Sequence, residues 1–231
     1  MAKHRRVVIE TGKKKVFASA IDWPGWSRSA KTEEEALDIL ADYGERYGKV
    51  AELAGVDGVA KVVGDMEIVE HLVGNATTDF GAPDKPAAVE SEPLTVPECE
   101  RQIALLRACW TYFDDTASRV SEELRKGPRG GGRNRSKMIF HVLEAERGYA
   151  RQIGVKSPKG SVETPDGLCA HREAVCQAIR EIAADEGIQT KWPLRYFIRR
   201  AAWHVMDHAW EMEDKDLTGV EDEIAGNTSG L

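Results

Sequence analysis

Two periodicities divide the chain. Near the N-terminus, Arg5–Thr11 (RRVVIET) is rich in β-branched residues and stops at Gly12, and Lys15–Ile21 (KVFASAI) resumes the same composition, so the pair predicts a β-hairpin turning at Gly12-Lys13-Lys14. Asp22-Trp23-Pro24-Gly25 reads as a tight turn and Trp26–Ala30 as a short third strand. Thr32 then precedes Glu35 at the spacing of a capping box, and Ala36, Leu37, Leu40, Tyr43 and Tyr47 recur at helical spacing to about Leu53. Gly55 and Gly58 end that helix, and Met66–Val73 (MEIVEHLV) predicts a further strand.

Beyond residue 96 the period changes from two to between three and four. Ile103, Leu106, Trp110, Phe113, Ala117, Val120 and Leu124 predict a helix from about Pro97 to Lys126, broken by the glycine-rich Gly127–Arg135 (GPRGGGRNR). Met138, Val142, Ala145, Tyr149 and Ile153 mark a second helix over about 136–153. Thr164-Pro165 opens a third, an N-cap followed by proline at the first helical position, which carries Leu168, Val175, Ile179 and Ile182 and closes at Gly187. Leu194, Phe197, Ala201, His204, His208 and Met212 mark a fourth, to about Asp216. Between the two halves, residues 82–96 (APDKPAAVESEPLTV) hold three prolines and three acids without an apolar period, the composition of a linker. The expectation is a two-domain α+β protein: an α/β module over 1–81, a Pro-rich linker over 82–96 and an up-down four-helix bundle over 97–231.

Composition narrows the class. The 231 residues are 42% hydrophobic and 31% charged, enough for a packed core. A net charge of −7 argues against a generic nucleic-acid binder. No run of 18 apolar residues predicts a membrane span, and no apolar stretch follows the basic Lys3-His4-Arg5-Arg6 to make it an export signal. The four cysteines lack short paired spacing and read as reduced, in keeping with the cytoplasm.

The chemistry concentrates on the fourth helix. His204 and His208, four residues apart, share one face, and that face is the apolar stripe of Phe197 and Ala201. Two imidazoles in a core each cost free energy unless hydrogen-bonded or coordinated, and one metal ion satisfies both. A third ligand must come from another helix, and His141, near the stripe of the second, is the candidate. Three neutral imidazoles suit zinc, nickel or iron(II) and leave a coordination position for water or a thiolate. The bland alternative is a set of hydrogen-bonded core histidines. Glu211, seven residues after His204, is the candidate acceptor or acid/base group, with a surface salt bridge as its alternative; Glu144 stands from His141 as Glu211 does from His208. A di-iron carboxylate bundle needs Glu-x-x-His, and the order here is reversed. Arg129, Arg133 and Arg135 precede a helix start, where an anion or the carboxylates of a thiol cofactor can bind, or they form a basic loop. Arg195, Arg199 and Arg200 either line the mouth of the bundle or pair with acids on neighbouring helices.

Two resemblances extend this reading. Phe17–Leu37 (FASAIDWPGWSRSAKTEEEAL), with its D-x-P-G turn and T-x-E-E-A-L helix start, resembles the antitoxin module of the HicB family. That implies a module that recruits a protein partner, although the DNA-binding domain that usually follows is not evident in the sequence. Residues 140–147 (FHVLEAER) and 203–211 (WHVMDHAWE) resemble the second-helix and fourth-helix signatures of the DinB/YfiT-like superfamily, over about 97–216. This second resemblance implies a homodimeric four-helix bundle holding a divalent metal through His141, His204 and His208. It further implies a thiol-dependent S-transferase or a hydrolase, acting on a small-molecule thiol or electrophile. The alternative is a non-catalytic metal-binding protein of interaction or stress response, and a third reading is an antitoxin or regulator.

Overall fold

A computed structural model of the chain describes residues 5–57, 66–128, 130–185 and 187–218. It is α+β: a four-stranded mixed sheet near the N-terminus followed by helices. β1 (Arg5–Thr11), β2 (Val16–Ala20), β3 (Ser27–Ala30) and β4 (Met66–Val73) lie in the order β3-β2-β1-β4. β1 runs antiparallel to β2, with Ile9 opposite Ala18, and parallel to β4, with Val7 opposite Ile68. α1 (Glu33–Asp42) and α2 (Gly44–Leu53) lie between β3 and β4 in the chain, and α3 (Ala76–Phe80) follows β4. The long helices are α4 (Val96–Arg119), α5 (Arg135–Ala150), α6 (Pro165–Ala184) and α7 (Leu194–Asp214). No helix of the described residues is long and apolar enough to cross a membrane.

Most predicted elements are present, and the differences have physical causes. The helix expected over 32–53 is two, α1 and α2, meeting at Tyr43. Gly44 is a weak helix former, and Tyr43 is pinned edge-on to Trp210 at 4.9 Å, so the axis breaks where tertiary packing holds it. The expected helix end at Gly58, together with Arg129 and residues 219–231, lies outside the described residues. α4 stops at Arg119 and not at Lys126. Val120 and Leu124 are buried as their period requires, but from an irregular segment. That segment leaves the helix to cap the end of α7: Asp216 accepts from the Ser121 N–H at 2.8 Å, and the Lys215 carbonyl from the Arg125 N–H at 2.8 Å. α4 packs on α6 and α7, and α5 packs on α7, so the consecutive helices α4 and α5 are not principal neighbours as a strict up-down order would make them.

The two halves share one core. Val7, Ala18, Trp26, Leu40 and Tyr47 belong to the same apolar cluster as Ile103, Cys109, Val205 and Met206. The Asp22–Gly25 turn lies at the join: the Pro24 carbonyl accepts from Tyr47 Oη at 2.7 Å, and Gly25 abuts Met206 and Cys109. Residues 82–96 are held fast. Buried Glu10 on β1 accepts from the Asp84 and Lys85 N–H groups at 2.9 to 3.0 Å, and buried Glu90 takes a 2.6 Å ion pair from Arg199 of α7. The prolines and acids of this segment therefore serve as a strap between sheet and helix. α7 consequently runs through the middle of the molecule, buried on every residue from Tyr196 to Met206.

Candidate metal centre

His141 comes from the middle of α5, and His204 and His208 from successive turns of α7. The α5–α7 packing brings the three rings together, with centroids 5.0 Å (His141–His204), 5.0 Å (His141–His208) and 4.6 Å (His204–His208) apart. One nitrogen from each lies within 4.8 Å of the others, close enough to bind one metal ion. Among the described residues no fourth histidine, cysteine or carboxylate joins this group.

The donor set fits a metal on two counts. His141 Nε2 and His204 Nε2 are 3.2 Å apart. Two nitrogens on one tetrahedral zinc ion, at about 2.0–2.1 Å each, stand about 3.3–3.4 Å from one another. His208 Nδ1 donates to Glu211 Oε2 at 2.9 Å, and a carboxylate can only accept, so Nδ1 carries a proton and Nε2 of the neutral ring offers its lone pair to a metal. The bond from His208 holds Glu211 down at about 2, with a further contribution from Lys215 Nζ at 2.6 Å, so the acceptor stays ionised.

Burial and nearby positive charge keep the His141 and His204 rings neutral. Burial, then the charges of Arg133 and His208, lower His141 to about 4. His204, 7% exposed, is driven well below its ordinary value by burial first, then by His208, His141, Arg200 and Arg133. Neutral imidazoles are the form a metal needs, and protons compete for them weakly here. Burial and packing also fix the rings: the Tyr149 ring meets His204 edge-on at 5.6 Å, and Trp203 meets it at 6.0 Å.

The other sequence candidates separate. Arg133 is exposed, and its charge reaches the histidines. Arg135 is engaged elsewhere, donating to Glu122 at 3.2 Å and to the Val120 carbonyl at 2.7 Å, so it fastens the loop and does not join the cluster. Glu144 pairs with Arg147 at 2.6 Å and gives His141 no partner like that of His208. Of the three α7 arginines, Arg195 donates to the Glu92 and Pro93 carbonyls and Arg199 pairs with Glu90, whereas Arg200 lies beside the site against Tyr149 and Trp203. Tyr149 is the residue whose closeness to the histidines was not foreseen. Its signal was its place two turns after His141 on the same stripe.

Comparison with models of known protein families, with curated proteins and with solved structures finds no match to this chain. The chemistry of the site therefore carries the functional argument.

Proposed function

We propose that this protein binds a divalent zinc, nickel or iron(II) ion through His141, His204 and His208 and is a metal-dependent thiol S-transferase or hydrolase. The observation that carries the reading is the convergence of three imidazoles from two helices, one of them oriented by an ionised carboxylate. The bound ion supplies a Lewis acid that favours the ionised form of a thiol or water brought to it. The chain's residues do the rest: Glu211 holds the His208 tautomer, and Tyr149 and Trp203 wall the site with aromatic surface. A three-ligand set leaves room for a reactant, which favours an enzyme over a purely structural metal.

On this reading Glu211 is a positioning residue, since both its oxygens are engaged by His208 and Lys215. The N-terminal sheet with α1 and α2 is taken as a HicB-like module and α4–α7 as a DinB-like bundle acting as a homodimer in the cytoplasm. The joint core and the strap make the module a structural part of the bundle whether or not it also recruits a protein partner.

Metal analysis of the native protein beside His141→Ala and His204→Ala tests the proposal. One equivalent of metal in the native protein and its loss in both variants is expected; unchanged content in both sinks the site. A panel of low-molecular-weight thiols with an electrophilic acceptor follows, and absence of turnover across it turns the reading to a non-catalytic metal-binding protein.

A further inference from the structure

Arg200 stands one turn before His204 on α7. It is only 6% exposed, and its Nε and Nη1 are buried without a hydrogen-bond partner among the described residues. Rings cover its guanidinium: Cζ lies 4.6 Å from the Trp203 centroid and 5.4 Å from that of Tyr149. A guanidinium donates only within its plane, so stacked rings stiffen it and leave its edge for an acceptor. Its neighbour in sequence shows the contrast. Arg199 is as deeply buried, but Glu90 neutralises it at 2.6 Å. No carboxylate among the described residues is within ion-pairing distance of Arg200. Asp84, whose charge is felt at Tyr149 and Tyr196, accepts instead from Asn75 Nδ2 at 2.7 Å. A buried charge without a partner is costly; Arg5, 1% exposed against the Trp26 ring, shares that condition, but Arg200 is the one of the two whose charge acts on His204, beside the candidate metal ligands. Arg133 adds a second positive charge at the histidines, in a chain whose net charge is −7.

We propose that Arg200 is the anion receptor of this site, and that the ligand carries a carboxylate about one helical turn, roughly 6 Å, from the atom that meets the metal. The proposal rests on the reading of His141, His204 and His208 as metal ligands. A carboxylate matches the guanidinium fork with two parallel hydrogen bonds, and the neighbouring aromatic rings suit the apolar stem between the two ends.

The test uses the full-length protein loaded with cobalt(II), whose visible absorption reports a thiolate at the metal, titrated with 3-mercaptopropionate and with its uncharged amide. The acid is expected to bind about tenfold or more tightly than the amide, the scale of hydrogen bonds to a charged group. Arg200→Met is expected to keep its cobalt and to lose that preference. Its unfolding midpoint is expected to stay level or rise, because no native hydrogen bond or ion pair is lost and the methionine stem still packs on Trp203 and Tyr149, whereas an arginine that holds the fold together would lower it. Equal affinities in the wild type, or a preference that survives in Arg200→Met, overturns the proposal. If Arg200→Met does not fold, Arg200→Lys decides it: the charge stays, the fork is lost and the preference must shrink. Failure of the metal reading has its own signature, no bound cobalt and no absorption band with either thiol. In that case calorimetry of the metal-free protein with propionate and propionamide tests Arg200 alone, and absence of any preference for propionate overturns its role.

Discussion

His208 Nδ1 lies 2.9 Å from Glu211 Oε2, one turn further along the same helix, and that bond decides which nitrogen of His208 faces His141 and His204. Removing the acceptor frees the ring to turn and to change tautomer. Glu211→Ala is therefore expected to weaken metal binding by about 10–100-fold without abolishing it. Competition with a chromogenic chelator measures this, and an unchanged affinity shows that packing alone orients the ring.

Metal binding to the folded state alone must stabilise it. With zinc at about 100 times its dissociation constant, the gain is about 2.7 kcal/mol. Thermal melts across a zinc series should rise with concentration for the wild type and stay flat for His204→Ala, the most buried of the three ligands. A rise of equal size in the variant places the zinc elsewhere.

The metal-free protein should lose stability as pH falls from about 6.5 towards 4. His141 is lowered from 6.5 to about 4, and His204 further. In that window the unfolded chain takes up protons that the folded chain refuses, so acidification favours unfolding; above it both states are neutral and the effect is absent. Glu211 and Asp216, each held near 2, lose their contributions at lower pH, as they protonate. Glu146, raised by burial, works with the opposite sign. Urea unfolding in a chelator at pH 7 and pH 5 should thus show a fall that His141→Ala lessens. A fall of the same size in the variant assigns it to other groups.

Glu90 and Arg199, 2% and 3% exposed, join the strap to α7. Truncating one member leaves an unpaired buried charge, so Glu90→Ala should cost about 3–5 kcal/mol. Glu90→Leu combined with Arg199→Met should cost much less, since both charges leave together. Denaturant unfolding of Glu90→Leu, of Arg199→Met and of the double closes the cycle, and additive losses would mean that the two residues act independently.

Much of this arrangement was legible in the sequence because it is written in local pattern. The strand of Arg5–Thr11, the Thr32 cap and the Thr164-Pro165 helix start depend on neighbours along the chain. The three histidines were legible because a polar residue on an apolar stripe is an exception that demands a partner. What local pattern could not show was where charges find partners. Glu90 sits in a segment with every mark of a linker, and only the fold puts Arg199 against it. Arg195, Arg199 and Arg200 look alike in sequence, and the acceptor each one meets lies far away in the chain or, for Nε and Nη1 of Arg200, is absent among the described residues. The end of α4 was misplaced for a related reason: Val120 and Leu124 keep the apolar period while their backbone bonds α7.

Gly25 gives the sharpest test of how the two halves depend on each other. It has φ of +96°, and a Cβ there would stand 2.9 Å from Met206 Cγ and 3.0 Å from Cys109 Sγ. Gly25→Ala meets both a backbone penalty of about 1–2 kcal/mol and overpacking of about 1–3 kcal/mol. Met206 lies on α7 between His204 and His208, and Cys109 on α4, so the strain enters the helices that carry the core. If the sheet and the helices were independent, the substitution would lower the stability of the N-terminal part alone and split the unfolding curve. With one continuous core, a single transition at a lower denaturant concentration is expected. Tryptophan fluorescence and far-ultraviolet circular dichroism should trace it together; two separated transitions would show that the turn is not the joint through which the halves stabilise each other.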